Sequence, residues 1–442
     1  MNIAVSEALR TKPSGNPWLG EVPAHWEVKR ADAVLEEQRT MLQSEGFVGR
    51  EVFHYSIPSI QETGDGAVEE GETIASAKTW ITKEVLLVSK LNPRKGTVLI
   101  GRPREQLTVC SGEFIPLVAV GCDLRYAEYV YRSEEVRQQM DAAVRSVTRS
   151  HQRASSEDIR KVQWAWPPLP EQRAIAAFLD ERTARIDALV ARKRRLVQLL
   201  KVKRQALITR AVTRGLDMKA KMKKSGVPWL GEVPEGWEVA PLVRFVRPKP
   251  GAVRTGPFGS QLVASEMSEG EVKVYNQRTV IDRDFELGDN YITREKYTEL
   301  KSFTIEPGDV LVTTRGTIGR CVVFPDSAEP GILHPCLMRV QVQPDRLSRE
   351  YLELLIDESG LVTQQLRIMS NATTIEVIYS ESLKRVVLLV PPLLEQEVIL
   401  EHIGHATTRL DALVTKVEQA VERLQEYRTA LISAAVTGKV RV

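Results

Sequence analysis

A few residue groups in this chain have the types and spacing that chemistry would need, and each has a plainer reading. Glu401, His402 and His405 stand close together and carry zinc-type donors. The HExxH spacing is absent and no cysteine is near, so they read as helix-surface residues and no metal site is expected. Pro325-Asp326 and Pro344-Asp345 could open a nuclease motif, yet no Glu-x-Lys follows at a workable distance. Cys110, Cys122, Cys321 and Cys336 form no CxxC pair, which points to reduced thiols rather than a zinc module or a disulfide framework. Neither GxxxxGK[ST] nor GxGxxG occurs, so no nucleotide or dinucleotide loop is present. An adenine methyltransferase would need a glycine-rich cofactor loop and an Asn/Asp-Pro-Pro-aromatic element, and neither is found. The expectation is a chain without a catalytic centre or cofactor of its own.

The elements that would position any site come next. Of 442 residues, 43% are apolar and 27% charged, the balance of an ordinary globular protein. No run approaches the ~20 apolar residues of a membrane span. The opening MNIAVSEALRTKPSG lacks the apolar core of a secretory signal, and a cytoplasmic location is expected. The net charge of +3 is unevenly spread: residues 171–224 hold 16 Lys/Arg against 5 Asp/Glu, whereas 225–394 hold 18 against 23. Bulk charge alone does not announce a nucleic-acid binder.

The chain is a duplication. SGNPWLGEVPAHWEV from Ser14 recurs as SGVPWLGEVPEGWEV from Ser225, and PPLPEQRAIAAFLDERTARIDALV from Pro167 recurs as PPLLEQEVILEHIGHATTRLDALV from Pro391. ALITRAVT from Ala206 returns as ALISAAVT from Ala430. Each Pro-Pro opens a long helix whose first turn carries an acidic residue at the positive end of the dipole. Apolar residues then step by four and three, the coiled-coil signature. The expected seam comprises Ile175, Leu179, Ile186, Leu189, Leu196, Leu200 and Leu207 in the first helix, with Ile399, Ile403, Leu410, Leu413, Val417, Leu424 and Leu431 in the second. Arg182, Lys193 and Lys203 interrupt only the first stripe, which favours the two helices pairing with each other within one chain.

Between heads and helices lie two variable blocks. β-branched runs bounded by Gly or Pro predict strands at Val85–Leu91, Thr97–Ile100, Phe114–Val120, Val310–Thr314, Cys321–Phe324 and Leu337–Val342, followed by helical patterns over Ala127–Val147 and Arg349–Met369. The division expected is 1–166 (first head and variable domain), 167–214 (first long helix), 215–224 (basic linker), 225–390 (second head and variable domain) and 391–442 (second long helix). The fold class is α+β, with two mixed α/β domains joined by two long helices in an intramolecular antiparallel coiled coil, a pseudo-two-fold tandem repeat. Trp18, Trp26, Trp229 and Trp237 recur in register and read as core anchors of the heads.

This layout resembles the specificity subunit of type I restriction-modification enzymes, over nearly the whole chain from about Ser14. The resemblance rests on the duplicated heads, the PPLPEQ and PPLLEQ helix starts, the pattern Gly308-Asp309-Val310-Leu311 with Arg315-Gly316-Thr317-Ile318-Gly319, and the segment Thr148–Arg153. It implies that each variable block is a target-recognition domain reading one half of a bipartite, asymmetric site in double-stranded DNA. It implies helices that hold the readers a fixed distance apart and dock two methyltransferase subunits that modify adenine, joined by restriction/translocase subunits. S-adenosylmethionine, ATP and magnesium would then belong to those partners. A stand-alone bipartite DNA-binding regulator without enzyme partners is the alternative, and a self-contained nuclease or methyltransferase a distant third.

On that reading, base readers are basic, amide and hydroxyl side chains on loops, since Arg pairs with guanine edges and Asn or Gln with adenine. The candidates are Arg102, Arg104, Arg149, Ser150, His151, Gln152 and Arg153 in the first block. In the second they are Ser260, Asn276, Gln277, Arg278, Thr314, Arg315, Thr317, Asn371 and Thr373.

Overall fold

A computed structural model describes residues 10–143, 153–370 and 377–442, without the side chains of residues 94 and 370. The chain forms two compact units, Met1–Arg194 with Glu418–Val442, and Arg195–Val417. Each long helix, Leu169–Arg214 and Leu393–Val436, gives one half to each unit.

The first unit begins with a head in which Thr11–Pro13 pairs antiparallel with Glu21–Pro23. Glu27–Arg30 then pairs with Gln163–Trp166, the strand that runs straight into Pro167-Pro168. The variable domain holds an antiparallel sheet ordered Val98–Gly101, Val85–Ser89, Phe114–Ala119, Leu35–Glu37. A mixed sheet lies beside it in sequence, with Glu51–Tyr55 parallel to Leu107–Cys110.

The second unit repeats the plan. Met222–Lys224 pairs with Glu232–Pro234, and Glu238–Pro241 with Val387–Val390 ahead of Pro391-Pro392. The end of the basic linker is therefore a strand: the head needs an edge partner, as Thr11–Pro13 provides in the first copy. Its antiparallel sheet runs Val253–Thr255, Leu337–Val340, Val310–Thr313, Cys321–Val323, and its mixed sheet sets Val272–Tyr275 parallel to Gly331–Leu333.

The expected strands form, five of the six ending one or two residues early and Thr97–Ile100 shifted by one to Val98–Gly101. The expected helical stretches are broken. Ser133, extended at φ −67° and ψ 155°, separates Leu124–Arg132 from Glu134–Ala143. In the second unit Arg349–Glu353 continues into a π-helical turn, Leu354–Glu358, and Gly360 at φ +74° precedes Leu361–Ser370.

The long helices pair antiparallel in each unit. In the first, Ile175, Leu179, Ile186 and Val190 share a core with Val421, Leu431, Ile432 and Val436. Asp187 there takes two bonds from Arg428, at 2.9 and 3.2 Å. In the second, Ile208, Ala211 and Val212 pack with Ile399 and Ile403, and Arg204 meets Asp411 at 3.2 Å. The seam departs from strict 4/3 stepping. Leu189, Leu196 and Leu413 are 46%, 40% and 43% exposed, while Val190 and Val197 are buried. A straight α-helix drifts ~20° per heptad against a 3.5-residue repeat, so the buried line moves one residue on. Leu200, Val417 and Leu431 are buried as expected, and Leu207, Leu410 and Leu424 are half-buried. Among the described residues no helix is long and apolar enough to cross a membrane.

Candidate nucleic-acid interface

The duplicated motifs prove to be the frame on which the candidate loops are mounted. Glu171 accepts the indole N–H of the buried Trp26 at 3.1 Å, and Glu395 accepts that of Trp237 at 3.0 Å. The next residue of each motif is buried deeper. Gln172 accepts the Asp123 N–H and donates to the Pro167 carbonyl, both at 2.8 Å. Gln396 accepts the Ser348 N–H at 2.8 Å and donates to the carbonyls of Pro391 at 2.8 Å and Arg346 at 2.9 Å. A Glu-Gln pair after Pro-Pro thus locks head, variable domain and helix together, a role the repeat signalled but composition did not. Trp26 and Trp237 are core anchors, whereas Trp18 and Trp229 are each 38% exposed.

In the second unit, candidates gather at one end of the antiparallel sheet. The hairpin between Val310–Thr313 and Cys321–Val323 turns through Gly316 and Gly319, both at positive φ (66° and 74°), a conformation that favours glycine. Arg315 and Thr317 project from this turn and are exposed. Thr314 is 1% exposed; its N–H and hydroxyl both reach the Cys336 carbonyl at 2.9 Å, so it straps the loop in place instead of facing outward. Arg315 forms a bridge with Val377, and Ile378 N–H donates to the Thr314 carbonyl at 2.9 Å.

A Cβ on Gly316 would lie 3.4 Å from the Gln277 amide, so Gln277 borders the turn. Asn276 caps the short helix Gln277–Asp282 by accepting the Arg278 N–H at 2.9 Å, while Arg278 pairs with Asp282 at 3.1 Å. Ser260 lies on the exposed loop after Gly256, where any Cβ would strike the His334 carbonyl at 2.2 Å. Beneath the turn, the carboxylate of Asp357 takes Arg320 at 2.5 Å and Arg283 at 3.0 Å; Arg283 also pairs with Glu353. Asp309 of the Gly-Asp motif is buried, which pushes its carboxyl up, and it accepts from Glu306 N–H and the Gln341 amide. That motif residue closes a turn. Asn371 and Thr373 lie outside the described residues.

The first unit divides its candidates between two strand ends. Arg102 follows Gly101, which pairs with Val85, and its guanidinium meets Glu84 at 2.7 Å, which raises its pKa. Arg104 stacks on Phe53 with 5.0 Å to the centroid and pairs with Asp65 at 2.7 Å. Arg153 bridges Leu91, beyond the other end of the same Val85–Ser89 strand, and pairs with Glu113. Arg149, Ser150, His151 and Gln152 lie outside the described residues. Each described basic candidate of this domain faces a carboxylate, which reconciles loop arginines with an acidic domain total. Sequence reasoning placed these arginines in one list because it could not see which strand end each loop occupies.

Of the groups that invited other chemistry, His405 and Glu401 are exposed and 3.9 Å apart. Among the described residues no cluster of three or more His, Cys, Asp or Glu could hold a metal. Burial pushes the thiols of Cys110 and Cys122 up to about 12.

No protein-family model matches the chain. It is similar to the putative type I restriction enzyme MjaX specificity subunit of Methanocaldococcus jannaschii, 22% identical over 437 residues and 96% of each chain. It is also similar to the MjaVIII specificity subunit of the same organism, 24% identical over 281 residues, 62% of this chain; the match spans 61% of that relative's length. A solved chain described under complex assembly and conformational transition of the type I R-M system shares the fold. Its TM-score is 0.73 at 16% identity, covering 95% of this chain and 99% of that one.

Proposed function

We propose that this chain, a homologue of type I restriction enzyme specificity subunits, is the DNA-reading, non-catalytic subunit of such an enzyme. Each variable domain reads one half of a bipartite, asymmetric duplex site, and the paired helices set the gap. What supports this most is one frame built twice with unlike loops. The Trp–Glu and Gln clamps recur in both units, yet the loops they carry differ in sequence. Equivalent frames present two readers, and unlike loops give unlike half-sites.

Two methyltransferase subunits and restriction/translocase subunits are the partners, and S-adenosylmethionine, ATP and magnesium act on them; the cytoplasm is the place of action. In the second unit the first long helix leaves Leu196, Leu199 and Val202 exposed at 40%, 50% and 65%. Three exposed apolar side chains within seven residues of a solvated helix favour docking partners over a stand-alone regulator. Exchange of residues 30–160 for another such domain tests the reading. One half-site should change and the other persist; loss of both contradicts independent readers.

A further inference from the structure

The hairpin that carries Arg315 has a counterpart in the first unit that no candidate residue above occupies. We infer that the loop Lys90–Gly96 is the reading loop of the first domain, with the Asn92 and Lys95 side chains directed to duplex DNA. The inference rests on the DNA-reading role just proposed and deepens it.

Backbone geometry makes the match. Thr313 pairs with Leu337 across its sheet, and Ser89 pairs with Phe114. One residue on, Thr314 N–H donates to Cys336 at 2.9 Å, and Lys90 N–H donates to Glu113 at 2.8 Å. The Thr314 carbonyl receives Ile378 N–H, and the Lys90 carbonyl receives Ala154 N–H, both at 2.9 Å. Arg315 bridges Val377; Leu91 bridges Arg153.

The next residue takes positive φ in each copy, Gly316 at 66° and Asn92 at 46°. Both turns end on a second positive-φ glycine, Gly319 at 74° and Gly96 at 57°. Thr313 N–H then reaches the Arg320 carbonyl at 2.9 Å, as Ser89 N–H reaches that of Thr97 at 3.0 Å. One turn architecture is therefore built at the same sheet end in both domains.

The chemistry of the loop suits the role. Lys95 is exposed, and Asn92 holds a left-handed conformation that asparagine tolerates better than most residues. Its side chain makes no cap hydrogen bond to the Pro93–Lys95 turn. Lys90, Lys95 and Arg153 place basic groups at this end of an otherwise acidic domain. Arg102 and Arg104 belong to the opposite end of the strand and act in holding their loop to Glu84, Asp65 and Phe53.

The test is selection by the full chain from a randomised duplex pool, followed by titration of the selected site. Asn92→Gly is compatible with the positive-φ backbone, since its counterpart is Gly316, and removes the side chain with its amide. Lys95→Gln removes an exposed charge and leaves folding intact. Arg315→Gln marks which half-site belongs to the second domain. Asn92→Gly should erase at least one defined base in the other half and weaken binding about tenfold. Lys95→Gln should lower the salt slope by about one. The double variant Arg102→Gln/Arg104→Gln should select the wild-type site.

Unchanged selection and salt slope in both loop variants would overturn the inference, as would loss of the half-site in the Arg102/Arg104 variant. A wild-type chain that enriches no motif would overturn the DNA-reading role itself.

Discussion

Substitution of Gln396 by Leu tests the frame that carries the variable domains. Gln396 is 0% exposed and serves three backbone groups: the buried Pro391 carbonyl and the part-buried Ser348 N–H and Arg346 carbonyl. Leucine fills much of the same space and serves none of them. Stranding one buried carbonyl costs about 1–3 kcal/mol and losing each part-buried bond about 0.5–1.5, so the second unit should lose about 2–6 kcal/mol. Against a domain stability of about 5–15 kcal/mol that is a large fraction. Gln172→Leu strands two groups, Asp123 N–H and the Pro167 carbonyl, and should cost the first unit less, about 1.5–4.5 kcal/mol. Native-state hydrogen exchange reads each unit separately, through the amides of Val387–Val390 and Gln163–Trp166. A Gln396→Leu loss under about 0.5 kcal/mol, the range of surface substitutions, would refute the clamp. So would equal losses in both units.

Other outcomes follow from single contacts. Arg315→Gln should weaken binding to the selected site by about 1–3 kcal/mol if the guanidinium meets a guanine edge, and the loss should vanish when that base pair is replaced; quantitative band shift measures both. Asp357→Asn removes the carboxylate beneath the turn that holds Arg283 and Arg320. Discrimination should fall at the second domain's half-site only, in the same selection assay. Trp26→Phe keeps one aromatic ring but loses the pyrrole half of the buried indole and its bond to Glu171, so the first unit should lose more than the ~1 kcal/mol of the bond alone, read by urea titration. His54 has its pKa lowered from 6.5 by burial, which outweighs its bond to Glu69. The unfolded chain takes up that proton below about pH 6.5 and the folded unit resists it. The first unit should therefore lose stability as pH falls from there through the lower folded value. His54→Gln should flatten that part of the profile.

The duplication carried most of what the sequence could tell. Two heads, two Pro-Pro helix starts and alternating apolar steps fix an antiparallel pairing of long helices, because periodicity and helix starts are local. What escaped depends on long-range geometry. The seam shifted from Leu189 and Leu196 to Val190 and Val197 because burial follows the actual helical twist. The helical pattern over Arg349–Met369 hid a π-turn whose Asp357 holds Arg320 at the foot of the Arg315 turn. Thr314 looked like an open hydroxyl and is a buried strap, as only its contact with Cys336 reveals. In the first domain, loop composition highlighted Arg102 and Arg104, and register alone shows that they and Arg153 occupy opposite strand ends.

Sequencing of modified bases across the host genome tests the central claim most directly. The account predicts methylated adenines in a two-part, non-palindromic motif separated by a fixed run of unspecified bases. Inserting one helical turn near Arg214–Met218 should change that run and leave both parts intact. A single uninterrupted or palindromic motif, or altered bases at unchanged spacing after the insertion, would contradict it.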